Sequence, residues 1–263
     1  MSTTDKNLAE EALTALFGDD GDEEAPVQVP RERPRLLMMV DASSSMQWLR
    51  GVTVMAVDAF NATLAHEVPH CKATLGVFSD TVDPPWYNDV PLPTVRSIDE
   101  SYHPYGGTAL YDAIVSTVKL AEKNYPDDSV VLAFQTDGED MNSRSTINDA
   151  TGAIRRARAR GWQVVFIGAS DNVTGQATLG MIGSHMGVDP NLVLTYNPSS
   201  SSKAFEGMAE NIATWMKGYA DAGFTDAQRR LAGEIRKHTR TLGHETKKLT
   251  DQSSQNRRLL ESK

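Results

Sequence analysis

The sequence contains one cysteine, Cys71, in 263 residues. A single cysteine cannot form an internal disulfide or a thiolate metal cluster, and this agrees with a reducing compartment. No apolar run approaches the ~20 residues that cross a bilayer, so we expect no membrane span. The first residues have neither a basic segment nor an uninterrupted apolar stretch. We therefore expect no secretory signal peptide and predict a cytoplasmic protein.

Basic residues are also fewer than acidic ones, 26 against 35, which gives a net charge of −9. This excess argues against generic nucleic-acid binding by the whole chain, and we expect no specific nucleic-acid partner. The two ends differ in sign. Residues 1–24 contain eight acidic residues and one lysine, whereas residues 226–263 contain ten basic and five acidic residues.

The composition divides the chain into three parts. Residues 1–34 form an acidic segment with a short amphipathic helix and a linker, residues 35–220 form the folded domain, and residues 221–263 form a basic polar tail, helical or disordered. The N-terminal apolar stripe either binds a partner or second copy, or folds back on its own domain. It consists of Leu8, Ala12, Leu13, Leu16 and Phe17.

Short apolar runs alternate with helical patterns through the middle of the chain. Such runs are typical of strands buried on both faces, and the alternation predicts an α/β fold with a doubly wound, mainly parallel sheet of about six strands and helices on both faces. The proline-rich stretch 79–98 predicts an antiparallel edge hairpin or an ordered loop. The predicted strands are Leu36–Val40, Ala73–Phe78, Val130–Gln135, Val164–Ile167 and Leu192–Tyr196.

Five stretches have apolar residues at helical spacing. In the last of them, apolar side chains recur at steps of three and four residues and would form one stripe against the sheet. The predicted helices are Gln47–Glu67, Ala109–Lys123, Thr146–Arg160, Thr174–Met186 and Lys203–Ala220.

Three loops at predicted strand ends bring polar side chains to one place. The first strand ends in Asp-Ala-Ser-Ser-Ser, where Asp41, Ser43 and Ser45 alternate and therefore direct three oxygens one way. Two glycines and Thr108 precede a helix, and Asp137 follows the most apolar strand. Open α/β sheets bind ligands at the carboxyl ends of their strands. We therefore expect these five residues to form one site.

The donors of this site are two carboxylates and three hydroxyls, with no histidine or cysteine. Hard oxygen donors suit Mg²⁺ better than Zn²⁺, with Mn²⁺ and Ca²⁺ as alternatives. The protein leaves at least one coordination position open, which an acidic group of another molecule can fill. The sequence thus predicts a metal site that works by binding, with the ligands Asp41, Ser43, Ser45, Thr108 and Asp137.

These motifs resemble a known family. Asp-x-Ser-x-Ser, then Gly-Gly-Thr before a helix, then Thr-Asp-Gly is the pattern of von Willebrand factor A domains with a metal-ion-dependent adhesion site, and the resemblance covers about residues 35–218. It implies a Rossmann-like fold, direct Mg²⁺ ligation by Ser43, Ser45 and Thr108, and contacts through water from Asp41 and Asp137. The residue sequences of the second and third motifs look like those of the intracellular prokaryotic or phage branch of the family.

The resemblance also implies a function. We expect a Mg²⁺-dependent interaction module whose protein partner supplies a Glu or Asp side chain, and an AAA+ ATPase is the partner class implied by some intracellular relatives. The alternative is a structural or assembly protein of a phage particle or stress complex, in which the fold serves as a scaffold.

The residues of this site, and other polar residues of the chain, also allow alternative interpretations. Ser43 and Ser45 could cap the helix that follows them, and Thr108 could cap the next one. A phosphatase of the haloacid dehalogenase class would need Asp-x-Asp, but the second position is a serine, and no nucleotide-binding glycine motif occurs, so we predict no enzyme. His66, His70 and Cys71 could suggest a transition-metal site, and the arginines of residues 155–160 a phosphate site. We interpret both groups as structural.

Overall fold

The computed structural model describes residues 30–219 and 223–235. The predicted N-terminal amphipathic helix and most of the basic tail lie outside these residues. Among the residues that are described, no helix combines the length and the apolar character needed to cross a membrane.

Six strands form one sheet, in the order β3-β2-β1-β4-β5-β6. All neighbouring pairs are parallel except β3, which is antiparallel to β2 at the edge. The predicted mixed sheet with one antiparallel edge strand is thereby confirmed. The strands are β1 (Pro34–Asp41), β2 (Lys72–Phe78), β3 (Tyr87–Pro91), β4 (Ser129–Thr136), β5 (Gln163–Ala169) and β6 (Val193–Tyr196).

Helices cover both faces of the sheet, and β1 shows why its sequence is apolar throughout. Leu36 and Val40 belong to the core that α1 and α5 cover, whereas Leu37 and Met39 belong to the core under α2 and α3. Burying one such side chain contributes roughly 1.5–3 kcal/mol. The helices are α1 (Arg50–Glu67), α2 (Leu110–Asn124), α3 (Ile147–Ala159), α4 (Val173–His185), α5 (Ser201–Met216) and α6 (Asp226–Leu231).

Two predicted helix boundaries differ from the structure. Residues Ser44–Leu49 form a 3₁₀ turn before α1, so the α-helix does not begin at Gln47. In this turn the amide of Ser44 donates to the carbonyl of Gly106, and the amide of Met46 donates to the carbonyl of Ser43. Helix α5 ends at Met216 rather than at residue 220, because Gly218 adopts the left-handed conformation with φ +97° that commonly terminates helices.

The folded unit also continues past residue 220, where we predicted its end. Phe224 and Ala232 are buried in the core beside α5. The guanidinium of Arg229, on α6, donates to the carbonyl of Val193 over 2.7 Å and pairs with Glu234 over 2.9 Å. Residues 223–235 therefore pack on the domain and are not part of a separate appendage.

Candidate metal centre

The carboxyl edge of the sheet, where its parallel strands end, brings the first two loops into contact. The amide of Ser44 donates to the carbonyl of Gly106 over 3.0 Å, and the amide of Tyr105 donates to the carbonyl of Ala42 over 2.7 Å. Gly106 has φ +70°, a conformation that favours glycine. These bonds fix the serine loop against the glycine loop.

Four of the five predicted ligands form one chain of hydrogen bonds. The amide of Ser43 donates to Asp41 Oδ1 over 2.7 Å. Ser43 Oγ lies 3.0 Å from Ser45 Oγ, and Ser45 Oγ donates to Asp137 Oδ1 over 2.7 Å. Asp41 and Asp137 follow neighbouring strands, so sheet topology brings residues 96 positions apart into the same site.

Thr108 occupies the same edge, between the second and third loops. Its side chain is buried, and its carbonyl accepts from the amides of Met141 and Asn142 over 2.8 and 3.0 Å. Its hydroxyl faces the residue after Asp137, since a Cβ placed on Gly138 would lie 4.0 Å from Thr108 Oγ1. The structure thus brings all five predicted residues to one edge.

Helix capping does not account for these hydroxyls. Ser43 makes no side-chain bond to the 3₁₀ turn that follows it, and α2 begins after Ala109 without a capping side chain from its N-cap. The first amides of α2 are satisfied by the third loop instead. Tyr111 donates to Asp140 over 3.0 Å, and Asp112 donates to Ser143 over 2.9 Å.

Neither carboxylate of the site has a basic partner in the described part of the chain. Asp41 is fully buried, and desolvation raises its pKa. Burial, with a further contribution from the Asp41 charge, raises the pKa of Asp137 to about 6. Within residues 30–219 and 223–235, no basic side chain forms an ion pair with either carboxylate. Such a pair is unfavourable alone, and the oxygen-only donor set fits a hard divalent cation.

Sequence reasoning missed two residues that hold Asp41 in place. Thr136 Oγ1 donates to Asp41 Oδ2 over 2.5 Å and accepts from the amide of Gly138 over 3.1 Å. The hydroxyl of Tyr102, which is buried, donates to the carbonyl of Asp41 over 2.6 Å. Thr136 belongs to the Thr-Asp-Gly motif and could have been found there. Tyr102 lies in an irregular loop and has no sequence signal.

A third acidic residue, Asp80, holds the glycine loop in place through hydrogen bonds. Its Oδ1 accepts from the amide of Gly107 over 2.6 Å and from Asn142 Nδ2 over 2.9 Å. A Cβ on Gly106 would collide with the Asp80 carboxyl group, and one on Gly107 would collide with Asn142. Both glycines are therefore favoured by close packing, and Gly106 also by its backbone conformation.

The other candidate sites, the histidine–cysteine group and the arginine run, lie in surroundings that favour structural roles. His66 is exposed beside Glu67, while Cys71 is buried and desolvation raises the pKa of its thiol to about 12. In the described part of the chain, no three His, Cys, Asp or Glu side chains are grouped to hold a metal. In the arginine run, Arg156 pairs with Glu122 over 2.9 Å, and Arg158 donates to the carbonyl of residue 187 over 2.8 Å.

No family model and no curated protein matches this chain. Many solved structures share its fold. The pilus adhesin SpaC from Lactobacillus rhamnosus GG, in its open conformation, has a TM-score of 0.57 and 13% identity, over 72% of this chain and 31% of SpaC. Proximal thread matrix protein 1 from the mussel byssus has a TM-score of 0.52 and 17% identity, over 71% of this chain and 48% of that protein.

A third structure is a single domain. The vWF domain of the type V pili tip protein Mfa5 from Porphyromonas gingivalis has a TM-score of 0.53 and 11% identity, over 72% of this chain and 97% of that domain. This chain therefore spans about a third of SpaC and about half of the mussel protein, but nearly all of the Mfa5 domain. At these identities the likeness shows the fold alone, and it confirms the expected von Willebrand factor A fold.

Proposed function

We propose that this von Willebrand factor A fold binds a protein partner through a Mg²⁺ ion at the carboxyl edge of its sheet. The main support is the pair of acidic side chains, the buried Asp41 and the partly buried Asp137, which share this edge without a basic partner among the described residues. Three hydroxyls face the same edge, and this set of oxygens suits Mg²⁺. The metal ligands would be Asp41, Ser43, Ser45, Thr108 and Asp137.

The division of labour follows the motif resemblance. Ser43, Ser45 and Thr108 would contact the ion directly, and the two carboxylates would balance its charge, mainly through water. Bound Mg²⁺ would supply an electrophile with an open coordination position. A Glu or Asp side chain of the partner would fill that position. Thr136 and Tyr102 would keep Asp41 oriented through the bonds described above.

The donor chemistry favours binding over catalysis. Asp41 and Asp137 accept hydrogen bonds from two hydroxyls and one backbone amide. General acid–base or nucleophilic chemistry usually needs a histidine, lysine or cysteine, or a second carboxyl group with a free path to substrate. We therefore propose a non-enzymatic role in the cytoplasm, with an AAA+ ATPase as the first partner class to test.

The metal site is tested by titrating the full chain with Mg²⁺ in a calorimeter and in a thermal unfolding assay. We expect saturable binding and a higher melting temperature for the wild type, and neither for Asp41→Ala. Asp171→Asn is the matched control, because Asp171 also follows a parallel strand at this edge but is exposed and outside the site. Equal responses of wild type and Asp41→Ala would refute the site.

Partner binding is tested separately, by pull-down of a candidate AAA+ ATPase with and without EDTA. A metal-bridged contact requires that EDTA and Asp137→Ala both abolish capture. Capture that survives both treatments would favour the assembly role, in which the fold is a scaffold and other surfaces make the contact.

A further inference from the structure

Each of the three loops of the candidate metal centre presents a large apolar side chain to solvent. Trp48 is 93% exposed, Met141 80% and Tyr105 48%. We call these three residues the apolar rim. Large side chains of this kind are usually at least partly buried, and tryptophan and tyrosine are enriched where proteins bind one another.

The rim residues are close to the predicted ligands along the chain and through hydrogen bonds. Trp48 follows Ser45 by three residues, and its neighbour Gln47 donates to the carbonyl of Pro104, next to Tyr105, over 3.4 Å. The amide of Met141 donates to the carbonyl of Thr108. The three apolar residues therefore lie in the same loops as the predicted ligands, at the same edge of the sheet.

This combination selects a particular ligand chemistry. If the edge holds a cation, as the proposed function states, its ligand supplies a carboxylate. The rim adds a requirement for large apolar side chains on both sides of that carboxylate, because these would cover Trp48 and Met141 from water. The fitting ligand is an acidic residue within an apolar stripe.

The chain itself contains such a segment. Residues 8–17 read LAEEALTALF, with Glu10 and Glu11 between Leu8, Leu13 and Phe17. Within residues 1–24 there is one lysine against eight acidic residues, so the segment also complements a cation site in charge.

The connecting chain is long enough for this segment to reach the rim of its own molecule. The described chain enters β1 at Pro34, at the opposite edge of the sheet, and the eight residues of β1 span about 26 Å. Residues 18–29 can extend over up to about 40 Å. A segment tethered at this distance competes at a high effective concentration.

We propose that residues 8–17 dock on the apolar rim of the same molecule, with the carboxylate of Glu10 or Glu11 at the metal position. The segment would then compete with the partner's acidic residue for the open coordination position. This proposal rests on the metal site proposed above.

The exposed Trp48 provides the test. Acrylamide quenching of the full chain minus that of Trp48→Phe isolates the signal of this tryptophan from the other three. In Mg²⁺ we expect Trp48 to be protected, and several-fold more quenchable in Glu10→Gln/Glu11→Gln and in Leu13→Ser/Phe17→Ser. The matched control, Glu23→Gln/Glu24→Gln, removes the same charge outside the docking segment and should keep the protection.

Three results would overturn the proposal. One is equal quenching of Trp48 in all these chains while the Mg²⁺ thermal shift remains normal, which would leave the metal site intact and reject the docking. Another is protection that persists in EDTA, because the carboxylate would then not be at the metal. The third is protection that rises with protein concentration, because the segment would then bind a second molecule. Loss of the Mg²⁺ shift in the wild type would reject the metal site itself, and this proposal with it.

Discussion

The two edges of the central sheet differ in whether their acidic side chains have basic partners among the described residues. At the amino edge, Arg35 contacts both Asp89 and Asp128, the latter over 2.8 Å, so the acidic groups there have basic partners. At the carboxyl edge, the buried Asp41 and the partly buried Asp137 have no basic partner among the described residues. One edge is complementary in charge within the chain, and the other, in the proposed function, would be completed by a cation.

This difference separates stability from function. Ion pairs that close within the chain stabilise the fold whatever the solution contains. Two carboxylates withdrawn from solvent side by side oppose folding when both are ionised, and in the proposed function a bound cation would offset this cost. Substitutions at the two edges should therefore respond differently to Mg²⁺.

The largest effect on stability is expected at the amino edge. Arg35→Ala leaves Asp128, whose side chain is 7% exposed, without its closest basic partner, and we expect unfolding free energy to fall by about 2–4 kcal/mol. Urea unfolding in EDTA and in Mg²⁺ measures it. The loss should be the same in both buffers, and a loss confined to one of them would contradict the separation of the two edges.

The next effect has the opposite sign. In EDTA at pH 7, Asp137→Asn should raise the unfolding free energy by about 1–2 kcal/mol. The folded-state pKa of about 6 lies above the ordinary 3.8, so the cost to folding from ionising Asp137 develops as the pH rises from 3.8 to about 6, is complete above that range and is absent well below it.

The gain should therefore shrink as the pH falls from 7 towards 4, and urea unfolding at both values measures it. The same variant should lose the thermal shift in Mg²⁺. A variant less stable than wild type in EDTA at pH 7 would show that ionised Asp137 does not oppose folding.

A residue found only in the structure gives a smaller effect. Thr136→Val removes the hydroxyl that bonds Asp41 and Gly138, and we expect a loss of about 1–1.5 kcal/mol in EDTA. Mg²⁺ affinity should fall about 10-fold, as for other residues that orient ligands. Calorimetric titration measures the affinity, and Thr136→Ser, which keeps the hydroxyl, should restore it. Equal affinities of wild type and Thr136→Val would remove Thr136 from the site.

The smallest effect is expected for an exposed ion pair at the amino edge. Lys72 pairs with Asp89 over 3.2 Å, but both side chains are substantially exposed. Lys72→Ala should therefore change the unfolding free energy by less than about 1 kcal/mol, and less still in high salt. Urea unfolding at two salt concentrations measures this change. A loss as large as that of Arg35→Ala would mean that burial does not decide which pair matters.

Much of the fold was predictable because the local pattern and the global fold agree. The apolar runs of β1 and β4 predicted strands buried on both faces. Their observed ends lie within two residues of the predicted ones. The edge strand β3 was predicted only as a hairpin or loop, because its residues are partly exposed and its register depends on β2. The turn before α1 was missed because the amide of Ser44 bonds to the glycine loop, which is distant in sequence.

The candidate site was predictable to a similar depth. Two motifs at strand ends and one before a helix named the five residues, and the parallel pairing of β1 with β4 explains why the first and third motifs meet. Tyr102 and Asp80 were not predicted, since each acts through a bond to a residue distant in sequence. Metal binding itself stays a prediction until the titrations above are made.

The sequence by itself determined the α/β class, the mainly parallel sheet and the oxygen chemistry of the site, because hydrophobic periodicity and residue type are local properties. Only the tertiary structure decided that the serine hydroxyls are free of capping, that Asp41 and Asp137 share a site without a basic partner among the described residues, and that Trp48 is exposed beside them. Those facts depend on which distant groups approach each side chain, and burial and pairing are properties of the packed chain.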